Sequence, residues 1–210
     1  MTALHAPTSH EPPNDADATP RRTSIGAQRN PESREAILKA AREILVESGL
    51  GGFSIEAVAR RAHAGKPTIY RWWPSRAALL LGVYHHQKHV ERLPDTGAIE
   101  TDLLAFLTAM FDNWRSGNAG AIFRSVIAEA QSDAGAAEAL RAYLMQRLSQ
   151  TGEIVRRAKT RGEVAEWADP ELTIEMLAGF AWARLLTGRL DVDTPQLALL
   201  VRQLCSGLRV

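Results

Sequence analysis

Apolar residues recur every three or four positions along the chain from Pro31 onward, and this spacing is the strongest constraint on how the chain can fold. In the first such segment the recurring residues are Ile37, Ala40, Ala41, Ile44 and Leu45. This repeat places apolar side chains on one face of an α-helix. Because no segment shows the strict alternation typical of a half-buried strand, the sequence predicts an all-α protein.

Turn-forming segments divide the chain into about nine helices. The first begins at Pro31 and ends at the glycines of "SGLGG". Two short helices follow, predicted over residues 54–62 and 66–73. The others are predicted near residues 75–93, 99–116, 119–132, 135–160, 170–188 and 195–208.

The two short helices and the tight turn between them predict a helix-turn-helix packed against the first helix. Ser54 is a good N-cap for the earlier short helix, and Pro67 is tolerated in the first turn of the later one. Ile69 and Trp73 are four residues apart and should face inward. The cations of the same helix should then face outward, where they can meet the phosphates and base edges of a major groove.

The charge of the chain is concentrated in the same region. The whole sequence has a net charge of +1, but residues 21–92 contain thirteen basic and six acidic residues, a net +7. Residues 1–20 and residues 93–210 each have a net charge of −3. A basic segment on a mildly acidic body indicates a polyanionic partner for the segment and a different role for the body.

Residues 1–30 predict a disordered arm, because they contain four of the ten prolines and no aromatic residue. Arg21, Arg22 and Arg29 could follow a DNA backbone, or the arm could be a solvated tail without a role. Residues 31–78 are predicted to form the DNA-binding domain and residues 79–210 a second, helical domain.

Location and cofactors are predicted from what the sequence lacks. Cys205 is the only cysteine, so no intrachain disulfide can form, which fits a reducing compartment. The start lacks the basic and apolar regions of a signal peptide, and the longest apolar run, residues 176–183, is too short to span a bilayer. We expect a cytoplasmic protein, associated with the nucleoid when bound to DNA, with no membrane partner, cofactor or metal.

Two other functions fit an all-α chain of this length. One is an enzyme or small-molecule-binding protein with a non-specific basic N-terminal region. We expect no enzyme, because no Gly-rich phosphate loop, nucleophile elbow or metal-binding helix pair is present. The other is a protein that coats DNA without regard to sequence, which would need cations along the whole chain.

Residues 34–80 resemble the TetR family of bacterial transcriptional regulators. The residues that match the family pattern in order and spacing are Gly49, Phe53, Ser54, Ala59, Ala62, Lys66, Thr68, Ile69, Tyr70, Trp73, Ser75 and Leu79. His63 stands where the turn usually has Gly, and His tolerates a left-handed backbone better than most residues. Gly65 stands where a Ser often caps the recognition helix, so that cap is absent.

The resemblance implies roles for residues of the helix-turn-helix. Phosphate contacts are implied for Arg34, Ser54, Lys66, Tyr70 and Arg76, and base reading for Pro67, Thr68 and Arg71. Trp72 would offer an indole N–H to a phosphate where Tyr is commoner. The resemblance also implies a homodimer on a (pseudo)palindromic DNA operator and a small-molecule effector that releases the DNA, and hence a repressor. It implies that residues 79–210 form a C-terminal effector-binding and dimerisation domain, but it does not supply the identity of the effector.

The helix near residues 170–188 is apolar on two sides, so both must be covered. One stripe would pack in its own domain, and the other would meet a second copy of the chain, together with the helix near 195–208, in a four-helix seam. The alternative is a fully buried core helix in a monomer. The interface residues expected are Leu172, Met176, Gly179, Phe180, Ala183, Leu197, Leu200, Val201 and Leu204.

Three further groups of residues each allow two interpretations. Phe111, Trp114, Phe123, Met145 and Trp182, with Trp167, could line the effector pocket or simply fill the core. The segment "HHQKH", with His85, His86 and His89, could hold a metal ion or form a solvated or pH-sensitive helix end. Cys205 could sense redox state, but a lone Cys between leucines is more typical of a small core residue.

Overall fold

The computed structural model describes residues 30–87 and 93–208, and within these ranges the chain forms ten helices and no strand. The helices are α1 (Pro31–Ser48), α2 (Ile55–Arg61), α3 (Lys66–Trp72), α4 (Arg76–Gln87), α5 (Ile99–Arg115), α6 (Ala119–Glu129), α7 (Ala134–Thr151), α8 (Glu153–Thr160), α9 (Pro170–Leu186) and α10 (Thr194–Leu208). The all-α prediction is confirmed. The arm predicted for residues 1–30 lies outside the described residues except for Asn30.

The long helix predicted over residues 135–160 is divided into α7 and α8 at Gly152. A Cβ atom at this position would lie 3.1 Å from the carbonyl oxygen of Leu148 and 3.2 Å from Oε1 of Glu171, a carboxylate of α9. Glycine therefore allows the break to pack closely against α9. The helical spacing of apolar residues continues across this break, which is why the sequence indicated one helix.

Side-chain caps and a small apolar core hold α1, α2 and α3 together. Asn30 caps α1 by accepting a hydrogen bond from the backbone N–H of Glu32 at 2.9 Å. Ser54 caps α2 in the same way, from the N–H of Ala57 at 3.1 Å. The residues buried between the three helices are Ile37, Leu38, Ala41, Leu45, Phe53, Val58 and Ile69. This arrangement is the predicted three-helix unit.

Helix α4 joins this unit to the rest of the chain, because it packs against α1 on one side and against α6 and α7 on the other. Trp73, the residue after α3, is buried, and its indole lies against Gly82 of α4. Two residues further along α4, Tyr84 is also buried. The recognition unit and the larger domain are therefore packed on a shared helix.

In the larger domain, α5 packs against α10, and α9 packs against α5, α6, α7 and α8. One stripe of α9 is buried, as expected for a helix that is apolar on two sides: Ile174, Leu177, Ala181 and Leu185. The other stripe is exposed at Leu172 and Met176, whose side chains are 56% and 55% exposed. No helix in the described ranges is long and apolar enough to cross a membrane.

The prediction for α10 is wrong at two of its four interface residues. Leu197 and Val201 are buried in their own chain, where α10 packs against α5. Leu200 and Leu204 are half-buried against the same core, while Leu199 is 53% exposed. Leu197 and Val201 are thus used within the protomer, and the interface role of Leu200 and Leu204 stays a prediction.

The contact between Trp73 and Gly82 leads to a stability prediction. A Cβ atom at position 82 would lie 2.5 Å from Nε1 of Trp73, and the buried indole has little freedom to move. We expect Gly82→Ala to lower the free energy of unfolding by about 1–3 kcal/mol, measured by urea denaturation.

The matched control is Gly207→Ala, in a helical position with no atom near the added methyl group. Because the added methyl group meets no neighbouring atom, this variant should not lower the free energy of unfolding. Equal effects of the two substitutions would show that the Trp73 contact does not constrain α4.

Candidate DNA-binding surface and effector cavity

The turn between α2 and α3 is closed by backbone hydrogen bonds around one left-handed residue. The backbone of His63 has a φ of 49°, the conformation expected for the position where the turn usually has Gly. The N–H of Ala64 donates to the carbonyl oxygen of Ala59 at 3.0 Å, and the N–H of Thr68 donates to that of Gly65 at 2.9 Å. Gly65 provides no side-chain cap, as the sequence indicated.

Helix α3 has a buried face and an exposed face. Ile69 and Trp73 are buried, which confirms the inward pair expected from their spacing. Lys66, Pro67, Tyr70 and Arg71 are exposed, and Thr68 is half-buried. The side chains predicted to read bases and bind phosphates are thus on the accessible side of the helix; their contacts with DNA stay a prediction.

Lys66 is paired with an acid of the preceding helix. Its Nζ lies 2.5 Å from Oε1 of Glu56, and both side chains are at least half exposed. The hydrogen bond from Lys66 lowers the pKa of Glu56, and the same bond raises the pKa of Lys66. Lys66 therefore stays charged at neutral pH, and a phosphate could take the place of the carboxylate at the surface.

Arg34 and Ser54, two more residues that are predicted to contact phosphates, also have partners within the chain. Arg34 pairs with Glu35 at 2.9 Å, and its guanidinium lies 5.8 Å from the ring centroid of Trp73. The hydroxyl oxygen of Ser54 already accepts the hydrogen bond that caps α2. Its O–H group can still donate a hydrogen bond to a phosphate.

Arg76, the first residue of α4, connects the two parts of the structure. Its Nη1 lies 2.6 Å from Oε2 of Glu129 at the end of α6, and its guanidinium lies over the ring of Phe53 at 5.5 Å. Both members of the ion pair are less than one third exposed. The predicted phosphate contact of Arg76 would therefore compete with this interdomain pair.

Trp72 requires a correction. It is half-buried against the core, its ring centroid is 6.3 Å from that of Trp73, and its indole nitrogen is buried. A phosphate cannot reach that nitrogen unless the ring moves. We therefore place Trp72 among the residues that pack α3 onto the domain and remove it from the set of phosphate contacts.

A cavity of about 570 Å³ lies in the larger domain, bordered by α4, α5, α6, α7 and α9. Its size is within the range of roughly 300–1,000 Å³ common for small-molecule sites. Trp114, Phe123 and Trp182 line it, as expected for the effector pocket. Phe111 and Met145 do not: Phe111 is fully buried in the core and Met145 is 62% exposed. Trp167 is 71% exposed, also away from this cavity.

Stacked and edge-on aromatic rings form one wall of the cavity. The ring centroids of Tyr84 and Phe123 are 5.0 Å apart, and those of Phe123 and Trp182 are 5.3 Å apart. Tyr143 contacts both Tyr84 and Phe123 edge-on. The indole N–H of Trp114 donates to the hydroxyl oxygen of Tyr84 at 2.8 Å. Such contacts between rings fix the shape of the wall.

Sequence reasoning missed Tyr84 and Tyr143 as cavity residues. Burial raises the pKa of Tyr84 well above its usual value and raises that of Tyr143 to about 12. Both therefore remain neutral hydrogen-bonding groups at physiological pH. The available signal was a tyrosine on a helical core face, since a buried tyrosine usually needs a polar partner.

The exposed stripe of α9 contains four of the five residues predicted there for the dimer interface. Leu172, Met176, Gly179 and Ala183 are exposed and Phe180 is half-buried. Nothing lies within 4 Å of a Cβ added at Gly179, so this side of the helix is open to a close approach. The interface itself stays a prediction.

The structure also describes the surroundings of His85, His86 and Cys205, for which the sequence left two interpretations open. No cluster of three or more potential metal ligands occurs in the part of the chain that the structure describes. His86 lies 3.7 Å from Glu35 of α1, His85 is exposed, and His89 lies outside the described residues. Cys205 is 1% exposed, in agreement with the packing interpretation.

Comparisons with known proteins agree in both parts of the chain. Residues 37–83 match the family described as bacterial regulatory proteins, tetR family, and residues 93–204 match the tetracyclin repressor-like C-terminal domain. The crystal structure of the TetR family transcription regulator SCO0332 is similar with a TM-score of 0.73 and 34% identity, over 85% of this chain and 100% of that one.

Two relatives give the same result from sequence. The HTH-type transcriptional regulator YdeS of Bacillus subtilis is 28% identical over 187 residues, which are 88% of this chain and 93% of YdeS. The DNA-binding transcriptional repressor TetR of Mycobacteroides abscessus is 30% identical over 156 residues, 73% of this chain and 82% of the relative.

The helix-turn-helix, its exposed basic helix and the attached helical domain define a DNA-binding transcriptional regulator. Within that class, the chain belongs to the TetR family. Regulators of this family bind DNA and act as dimers.

The raised pKa values of the two cavity tyrosines, Tyr84 and Tyr143, can be tested directly. Tyr70→Phe leaves Tyr84 and Tyr143 as the only tyrosines. At about pH 10.5, ultraviolet absorption should show little phenolate in the folded variant but more than half after unfolding in urea, where Tyr has a pKa near 10.

The sign of the linked stability change follows from the direction of these shifts. A folded-state pKa above the unfolded value contributes stability in full below about pH 10, and the contribution is lost as pH rises towards the folded pKa. For Tyr143 that loss should extend to about pH 12. Phenolate formation near pH 10 in the folded variant would contradict the burial of the hydroxyl groups.

Proposed function

We propose that this protein is a homodimeric repressor that binds a palindromic DNA operator and leaves it when a small molecule occupies the α4–α9 cavity. The observation that carries the proposal is the course of α4, which begins at the recognition unit with Arg76 and lines the cavity with Tyr84. A relative at 30% identity is a DNA-binding transcriptional repressor, which supports repression over activation. The proposed site of action is the cytoplasm, at the nucleoid when the protein is bound to DNA.

DNA recognition is assigned to the exposed side of α3. Arg71, Thr68 and Pro67 would face base edges, because the N-terminal part of a recognition helix enters the major groove. Lys66, Tyr70, Arg34 and Ser54 border this side and would hold the phosphates on either side of the groove. The buried Ile69 and Trp73 keep the orientation of the helix fixed against the domain.

Release is assigned to a shift of α4. Its first residue pairs with Glu129 of α6, its middle holds the indole of Trp73, and Tyr84 faces the cavity. A ligand that pushes against Tyr84 would move the surface on which α3 is fixed. Two recognition helices of a dimer could then no longer meet successive major grooves together.

Dimerisation is assigned to the exposed stripe of α9. Leu172 and Met176 are large apolar side chains that are more than half exposed, and Gly179 and Ala183 continue the stripe with small residues. A two-fold axis close to this stripe would pair it with the same stripe of a second copy. In this proposal both copies act only by binding, and neither is an enzyme.

The decisive test is selection of binding duplexes from a random pool by the full-length protein, followed by sequencing. We expect a palindrome with half-sites about one helical turn apart, since a two-fold dimer reads two major grooves. In parallel, Arg71→Ala should weaken the selected site by about 1–3 kcal/mol and relax one base position in each half-site. Equal weakening on every duplex would assign Arg71 to phosphate, and no enriched sequence would refute operator recognition.

Lys66 should contribute to binding through charge alone. Lys66→Ala is expected to reduce affinity for all duplexes and to lower the slope of log affinity against log salt by about one unit. Arg189→Ala is the matched control, because Arg189 is an exposed cation in the larger domain. An unchanged slope for Lys66→Ala, or an equal change for Arg189→Ala, would remove Lys66 from the phosphate contacts.

A further inference from the structure

The cavity contains one charged side chain among the described residues that line it, and that side chain is Arg147 of α7. No Asp, Glu or Lys lines the cavity within residues 30–87 and 93–208. A buried cationic ligand would need a carboxylate to offset the loss of its hydration. The charge of the lining therefore favours an anion.

In the part of the chain that the structure describes, the side chain of Arg147 has a neutral hydrogen-bond partner and no acidic one. Its Nη1 donates to Oε1 of Gln150, a neutral group on the same helix, at 3.1 Å, and no ion pair in the described ranges includes it. Arg141, six residues before it on α7, shows the contrast, because it is exposed and paired with Glu138. Arg147 is half-buried and keeps its charge available at the cavity.

Arg147 lies one helical turn after Tyr143 on α7, and the ring centroids of Tyr143 and Tyr84 are 6.0 Å apart. Its positive charge acts against the burial that raises the pKa of each phenol. All three side chains line the cavity, and the helical spacing of Tyr143 and Arg147 places these two side chains next to each other.

An amide adds a further donor to this region. Nδ2 of Asn113 is buried and carries two N–H groups, one of which can donate to the hydroxyl oxygen of Tyr84. Asn113 lines the cavity and lies next to the hydroxyl of Tyr84, whose pKa it lowers. Arginine N–H, amide N–H and phenol O–H groups are all donors, and a carboxylate accepts hydrogen bonds through both oxygens.

The remaining walls are apolar. Trp114, Phe123 and Trp182 form the aromatic side, and Phe106, Met110 and Leu148 contribute apolar surface. A ligand that fills this space must bury an apolar body, and flat rings match the aromatic wall. One cation balances one negative charge, whereas a phosphate monoester would bring a charge of about −1.5 to −2.

We propose that the effector is an apolar, ring-containing monocarboxylate whose carboxylate binds Arg147 between Tyr143 and Asn113. This inference rests on the proposed function only in taking the cavity as the effector site. In this proposal, Arg147 makes the cavity prefer an acid to its neutral analogue. The aromatic wall makes it prefer a ligand with an apolar body.

The test measures binding to full-length protein without DNA, by calorimetry and by the fluorescence of the cavity tryptophans. The probes are benzoate, 2-naphthoate and 4-phenylbutyrate, each with its carboxamide, and 2-naphthylmethylamine as a cation. We expect at least one acid to bind at least about tenfold more tightly than its amide, as a charge-assisted pair with arginine should provide. The amine should be the weakest of the naphthalene probes.

The variants assign the preference to one residue. Arg147→Gln should reduce the acid-to-amide ratio to about one, while Arg141→Gln on the same helix should keep the wild-type ratio. Arg147→Lys keeps the charge without the planar fork and should give an intermediate ratio, which serves as the second variant if Arg147→Gln is poorly folded. Equal binding of acid and amide, an unchanged ratio in both Arg147 variants, or no acid binding below about 1 mM would overturn the proposal.

Operator release is measured separately, so the two proposals can fail independently. An acid that binds through Arg147 but leaves the selected operator occupied would refute effector-driven release and keep the ligand assignment. If neutral compounds release the operator and the cavity shows no preference for acids, effector-driven release is kept and the ligand assignment is refuted.

Discussion

The burial of α4 between two groups of helices is the constraint on which the rest of the structure depends. Its N-terminal residue Arg76 contacts Phe53 of the recognition unit and Glu129 of the larger domain. In the middle of α4, Gly82 has no side chain, and the indole of Trp73 lies against it. Trp73 ends the recognition helix. The orientation of α3 is therefore set by α4, and the position of α4 is set by the side chains on both of its sides.

Short-range patterns in the sequence were sufficient for the helix-turn-helix. The inward pair Ile69 and Trp73, the cap at Ser54 and the left-handed His63 each depend on residues within a few positions, and each is found as expected. The outward face of α3 followed from the same spacing, with Trp72 as the exception. A large ring at the edge of a short helix can turn either way, and here it turns inward to Trp73.

The larger domain could be predicted less completely, because its site depends on which helices face one another. Spacing along α9 separated a buried stripe from an exposed one, but it could not decide that Leu197 and Val201 of α10 pack against α5. Trp114, Phe123 and Trp182 were selected by size, which also selected the buried Phe111 and the exposed Met145. The polar end of the cavity combines residues 84, 113, 143 and 147, and no local pattern connects these positions.

The ion pairs Lys66–Glu56 and Arg76–Glu129 differ in exposure, and this difference bears on how ligand binding would change DNA binding. At the candidate DNA-binding surface, the Lys66–Glu56 pair is exposed, so Lys66 can exchange the carboxylate for a phosphate at little cost. At the base of α4, the Arg76–Glu129 pair is less than one third exposed, so separating it would leave two poorly hydrated charges. A ligand shifts the balance between DNA-bound and released states only by its difference in affinity for them. The ion pair resists any motion of α4 away from α6. The proposed release therefore requires a ligand that favours an arrangement in which α4 and α6 move together, with Trp73 and the recognition helix.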